Sequence, residues 1–217
     1  MRREVTLEEI SDGKLYTSND LVKADCGDCE GCRACCTGMG SSIVLDPLDI
    51  VRISRGTGAA FETLLAGKIE LNVVDGIILP NLKMAGAEDG CGFLTEEGRC
   101  GIHPFRPGIC RLFPLGRYYE ENGFRYFLQV HECQKENRAK VKVKKWLDTP
   151  DLKKYEAYIA RWHGLLIQLQ EFIAAHPESA KAVSMDVLQR FYLTPYQTEE
   201  FYSEFFQRMD EAKKAYC

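Results

Sequence analysis

The chain has 217 residues, 45% hydrophobic and 28% charged, which suits one domain with a helical appendage or two small domains. A formal charge of −4 gives no whole-protein electrostatic case for nucleic acid or an anionic membrane. No apolar run approaches a membrane span, and the N-terminus M-R-R-E-V-T-L-E-E lacks the apolar core of an export signal, so cytoplasm is the expected compartment.

Residues 1–24 read as a short lead-in, with one strand expected through Lys14-Leu15-Tyr16. Asp25–Thr37 follows as D-C-G-D-C-E-G-C-R-A-C-C-T and carries five of the ten cysteines: Cys26, Cys29, Cys32, Cys35 and Cys36. Ser41–Leu45 has strand character. Asp46-Pro47 then reads as an N-cap and first helical residue, opening a short helix through Leu48, Ile50, Val51 and Ile53 that Gly56-Thr57-Gly58 is expected to stop. A brief helix over Ala59–Ala66 precedes a hairpin, Glu70–Val74 with Ile77–Leu82, turning at Asp75-Gly76.

Two further hairpins carry later cysteines. Cys91–Leu94 and Cys100–Ile102 flank a turn at Thr95–Arg99, and Leu115–Glu120 and Phe124–Val130 flank Glu121-Asn122-Gly123. Thiols at strand ends and in loops can also receive backbone N–H groups. Residues 135–145 hold six bases and one acid and read as a solvated linker. Beyond it, Leu152, Tyr155, Ile159, Trp162, Leu166, Leu169 and Ile173 recur at helical spacing, a stripe that reads as core packing. His176-Pro177 ends that helix, and two shorter ones are expected around Glu178–Tyr192 and Thr198–Ala215. The expected fold is α+β: a cysteine-cluster domain of small hairpins and short helices over 1–134, a basic linker over 135–150, and a helical segment over 151–217.

The cysteines set the chemistry. Thiols at every third position are ligands for a soft metal. An even count would permit a disulfide framework, but Cys29, Cys32 and Cys35 are placed to converge on one centre, and a reducing compartment disfavours disulfides. Cys26, Cys29, Cys32 and Cys36 reproduce the C-x2-C-x2-C-x3-C spacing of a bacterial-type ferredoxin, with Thr37 where that motif has proline. The alternative set is Cys29, Cys32, Cys35 and Cys36. Neighbouring side chains diverge, so one of Cys35 and Cys36 is expected to go to a second centre, and Cys91, Cys100, Cys110 and Cys133 complete the count over the two sites. Two four-thiolate sites need eight ligands, which leaves Cys26 spare. The later cysteines supply no C-x2-C pairs of the kind structural zinc uses, so iron–sulfur is preferred to zinc. Arg99, Arg106 and Arg111 would suit either charge. His103 and His131 read as polar loop residues, with replacement of a cysteine ligand as the lesser alternative; His163 is expected to be structural, and Cys217 a free terminal thiol.

The run C-G-D-C-E-G-C-R-A-C-C, then C-G-F-L-T-E-E-G-R-C-G-I-H-P-F-R-P-G-I-C-R-L-F-P, then Cys133, resembles the YkgJ-type cysteine-cluster family, the zinc- or iron-chelating CxxCxxCC domain. The resemblance covers about residues 25–133. It implies metal chelation by Cys29, Cys32, Cys35, Cys36, Cys91, Cys100, Cys110 and Cys133, with Cys26 outside the common pattern. A more distant resemblance is to flagellin lysine N-methylase, which implies S-adenosylmethionine as a cofactor. No C-x3-C-x2-C triad accompanies it, because Met39 stands where Cys32-x3-Cys36 would need its third cysteine.

Three functions follow as expectations. The first is a metal-thiolate protein in redox or metal handling. The second is a protein lysine methylase. The third is a zinc-stabilised module that offers its C-terminal helices to a protein partner.

Overall fold

The computed structural model describes residues 6–27, 29–197 and 199–216. Cys217 lies outside them. The fold is α+β, and its strands form two-stranded antiparallel ribbons. In chain order the elements are α1 (Leu7–Ile10), β1 (Leu21–Asp25), α2 (Pro47–Thr57), α3 (Phe61–Leu65), β2 (Ile69–Val74) and β3 (Ile77–Leu82). After these come β4 (Met84–Ala85), β5 (Gly90–Cys91), α4 (Gly108–Leu112), β6 (Leu115–Glu120) and β7 (Gly123–Leu128). The rest is β8 (Ala139–Lys142), α5 (Val143–Leu147), α6 (Leu152–Ala175), α7 (Ala180–Leu188) and α8 (Phe201–Tyr216). The ribbons are β1 with β8, β2 with β3, β4 with β5 and β6 with β7.

Local chemistry explains most of the boundaries. Asp46 caps α2, accepting from the Asp49 N–H at 2.9 Å, while the Asp49 carboxylate accepts from the Asp46 N–H at 3.1 Å. The helix continues past Gly56 and ends at Gly58, whose φ of 71° is left-handed. Gly56 is inside the helix because the Phe105 ring packs where a side chain would stand. Asp75 and Gly76 take φ of 48° and 89°, the double left-handed turn that a two-residue hairpin loop needs. The expected strand at Lys14–Tyr16 reduces to one bridge, Tyr16 to Tyr126, because turns at Gly13 and at Thr17–Asp20 close in on either side. The extended segment before α2 lies along β3, with Leu45 N–H donating to Pro80 O at 2.8 Å and Leu82 N–H to Ile43 O at 2.9 Å.

Two apolar clusters organise these pieces. The larger joins Leu48, Ile50 and Ile53 of α2, Phe61 and Leu64 of α3, and Ile77 and Leu79 of β3 to the buried faces of α6, α7 and α8. Tyr158, Leu165 and Leu169 of α6, Phe191, and Phe205 and Met209 of α8 are sealed within it. The smaller cluster gathers Val22 and Ala24 of β1, Leu112, Leu115, Tyr126, Leu128, and Val143 and Leu147 of α5. Part of the basic stretch is structured: residues 139–142 pair with β1 as β8 and lead straight into α5. Among the described residues no helix is long and apolar enough to cross a membrane.

Candidate metal centre

Each cysteine is presented by a different local device. Gly27, Cys29 and Gly31 all have positive φ (67°, 57° and 64°), which coils the first loop tightly and brings Cys26 Sγ to 3.5 Å from Cys29 Sγ. Cys35 and Cys36 sit on a 3-10 turn over Ala34–Cys36. The Thr37–Gly90 bridge and the Gly38 N–H to Asp89 O bond of 2.9 Å hold that turn beside β5 and Cys91. Cys91-Gly92-Phe93 and Cys100-Gly101-Ile102 repeat one geometry: the backbone N–H two residues on donates to the thiol sulfur. Such N–H groups favour thiolate and so suit a metal ligand. Cys110 rides on α4, one turn beyond the Arg106-Pro107 corner.

These devices converge. Cys29, Cys32, Cys35, Cys36, Cys91, Cys100 and Cys110 line one cavity of about 140 Å³. Ile43, Leu82 and Ile102 of the larger cluster and Leu115 of the smaller also face it, so the thiols meet where the two cores abut. Cys133 and Cys26 are not in the lining. The Cys133 segment still reaches the first loop, because Lys135 Nζ donates to Glu30 O at 2.8 Å.

Burial and mutual charge govern the thiols. Desolvation, then the Cys26 contact, pushes Cys29 up to about 12. The Cys36 thiol and burial push Cys35 up further. Cys91, Cys100 and Cys110 are raised chiefly by burial. Cys35 acts on each of those three and on Cys29, and Cys110 responds to Cys91 and Cys100 as well, so the thiols of the separate turns are electrostatically linked. Ionising several such thiols together requires a positive centre among them, which is how metal binding displaces protons.

A family model described as "putative zinc- or iron-chelating domain", CxxCxxCC, matches residues 28–145, more than half of the chain. The chain belongs to this family. No curated protein and no solved structure matches it, so the resemblance to flagellin lysine N-methylase is not shown. The CxxCxxCC match takes in the eight cysteines from Cys29 to Cys133 and leaves Cys26 just outside.

Whether a chelated group fits is answered by the donor set. Seven thiols around one largely apolar cavity are soft donors suited to zinc or iron. Among the described residues, no three Cys, His, Asp or Glu side chains already close on a single-ion point. The donors ring a space instead. Since one water needs only about 10–15 Å³ of such volume, the space takes several atoms. His103 lines the cavity, but its Nε2 meets Arg106 Nη1 at 2.7 Å. A guanidinium only donates, so that ring nitrogen is an acceptor already in use. Arg99 lines the cavity too, and Arg111 turns away to the carbonyls of Pro104 and Asp148. His163 stacks on Tyr119 with ring centroids 3.6 Å apart, away from the thiols.

Behind Cys110 lies a buried polar chain with no counterpart in the sequence reading. Asp49 Oδ1 accepts from Gly108 N–H at 2.7 Å in the first turn of Cys110's helix. Asp46 Oδ1 accepts from the Tyr158 hydroxyl at 3.0 Å, which in turn accepts from Leu48 N–H at 3.1 Å. A side chain at Gly108 would overlap the Tyr155 hydroxyl, to which Arg117 donates at 3.1 Å. Burial, then the charge of Asp46, pushes Asp49 from its ordinary 3.8 up to about 8. The unfolded chain therefore ionises this carboxyl above about pH 4 while the folded chain keeps it protonated until about pH 8, so its contribution to stability falls across that window. Asp49→Asn, which cannot ionise, is expected to lose less stability than wild type between pH 4 and 8. Urea denaturation of both proteins at equal metal content measures the difference, and parallel pH profiles would contradict it.

Proposed function

We propose that this chain chelates iron as an iron–sulfur centre and works in cytoplasmic redox or metal handling. The observation that carries the reading is the ring of seven thiols about a cavity with room for several atoms. A polynuclear group uses such a space, whereas a lone ion would need the thiols to close further inward. Cys35, Cys91, Cys100 and Cys110 are assigned as the inner ligand set because all four line the cavity and Cys91 and Cys100 sit on N–H-supported turns. Cys29, Cys32 and Cys36, with Cys133 brought near by Lys135, are assigned to an outer set. Cys26 stands beside Cys29 as the ninth, spare thiol. When bound, an iron–sulfur group supplies one-electron chemistry; the chain supplies thiolates, N–H donors and an apolar wall.

Zinc is the second reading. The two Cys-Gly-x turns are compatible with it, since an N–H aimed at sulfur serves a zinc thiolate as well as an iron one. Metal and acid-labile sulfide analysis of protein purified without oxygen separates the two. Iron and sulfide in equal amounts, with a brown colour, are expected. Colourless protein with stoichiometric zinc and no sulfide would replace the redox reading with a structural one.

A further inference from the structure

The cavity holds two guanidinium side chains among its thiols, Arg99 and Arg106, and they are held differently. Arg99 Nη1 donates to the Cys29 carbonyl at 3.2 Å, so it braces the backbone of the first loop. Arg106 is fixed from both ends. Its Nη1 donates to His103 Nε2 at 2.7 Å, and its carbonyl accepts from Arg111 Nε at 3.3 Å. It makes no carboxylate pair among the salt bridges of the described residues. It lines the same cavity as Cys29, Cys35 and Cys100, three thiols from three separate turns.

We propose that Arg106, oriented by His103, is the fixed counter-cation of the metal–thiolate centre and sets its electron affinity. The inference rests on the metal-centre reading above. Four thiolates around zinc or an oxidised four-iron cube leave about two negative charges, and reduction of the cube adds another. A cation that lines an apolar cavity acts through a lower dielectric than water, so it stabilises the reduced, more negative state. His103 takes no charge of its own in this role. Its neutral ring offers Nε2 as the acceptor that points the guanidinium inward.

Arg106→Gln tests the charge, and Arg106→Lys restores it without the planar fork. Potentiometric titration of cluster-loaded protein is expected to show electron binding at least tenfold weaker in Arg106→Gln, a fall of about 59 mV for one electron. Arg106→Lys is expected to recover most of that loss. If the native protein carries zinc, competition with a chelator is expected to strip Arg106→Gln at a tenfold lower chelator concentration, again with recovery in Arg106→Lys. An Arg106→Gln protein with full metal content and an unchanged potential or chelator midpoint would overturn the proposal. So would an Arg106→Lys protein as impaired as Arg106→Gln, which would mean that the fork braces the fold. Wild-type protein that takes up neither metal would remove the metal-centre reading itself, a different failure from either.

Discussion

Deleting residues 151–217 is expected to leave an insoluble remainder that takes up no metal. The helices concerned are part of the core that supports the cysteines. Tyr155, Tyr158, Ile159, Trp162, Leu165 and Leu169 of α6, with Val183, Val187, Phe191, Phe205 and Met209, share one apolar cluster with α2, α3 and the β2–β3 ribbon. Each large side chain of this kind is worth about 1.5–3 kcal/mol when buried. The eleven named cover the apolar faces of α2, α3 and the β2–β3 ribbon, and a domain with a net stability of about 5–15 kcal/mol has little reserve against leaving those faces in water. Polar groups would be stranded as well. Leu45 O would lose the Tyr192 hydroxyl, Ile78 N–H the Ser184 hydroxyl, and Asp46 the Tyr158 hydroxyl. Because Asp46 caps α2 and Asp49 ties that helix to the first turn of Cys110's helix, the damage would reach the thiol cavity. Soluble yield, circular dichroism and metal content of the truncated protein measure this. A soluble, folded 1–150 fragment with full metal would instead show a cysteine module that stands alone, with α6–α8 free to serve a partner.

Much of this was legible in the sequence because it depends on local chemistry. Asp46-Pro47 announces a helix start, Asp75-Gly76 a tight hairpin turn, and the 3-and-4 stripe from Leu152 to Ile173 one long helix. Each needs only a few neighbouring residues. The cysteine spacing likewise pointed to a metal centre, although nothing local shows that Cys35 and Cys110 line one cavity. What sequence could not supply were the pairings across long separations. Asp49 falls in the first turn of α2, and nothing local connects it to Gly108, 59 residues later. Gly56-Thr57-Gly58 marks the helix stop, which falls at Gly58, but the place of Gly56 inside the helix depends on the Phe105 ring from a distant loop. Arg106 was one of three equivalent arginines until His103 and Arg111 were seen to fix it at the cavity.

Serine substitutions of the cysteines should sort into three classes, and the sorting tests the assignment of ligands. Cys110→Ser and Cys35→Ser are expected to bring metal content to background, because both belong to the inner set and Cys110 sits where α4 meets the two cores. A serine hydroxyl stays protonated at neutral pH and is a hard, poor ligand, so no substitute donor remains at that corner. Cys36→Ser and Cys133→Ser are expected to cost about half the metal, since an outer centre can be lost while the inner one persists. Cys26→Ser is expected to keep full metal content, because its thiol contacts Cys29 without lining the cavity. Metal per chain on purified, monodisperse protein gives the answer for each variant. Equal and complete loss in Cys36→Ser and Cys110→Ser would mean a single centre fed by both sets. Full metal in soluble Cys110→Ser would take that residue off the ligand list, and with it the reason for the Asp49 clamp to face the metal. Loss in Cys26→Ser would bring the ferredoxin-like spacing of Cys26, Cys29, Cys32 and Cys36 back as the outer set, with Cys133 as the spare thiol.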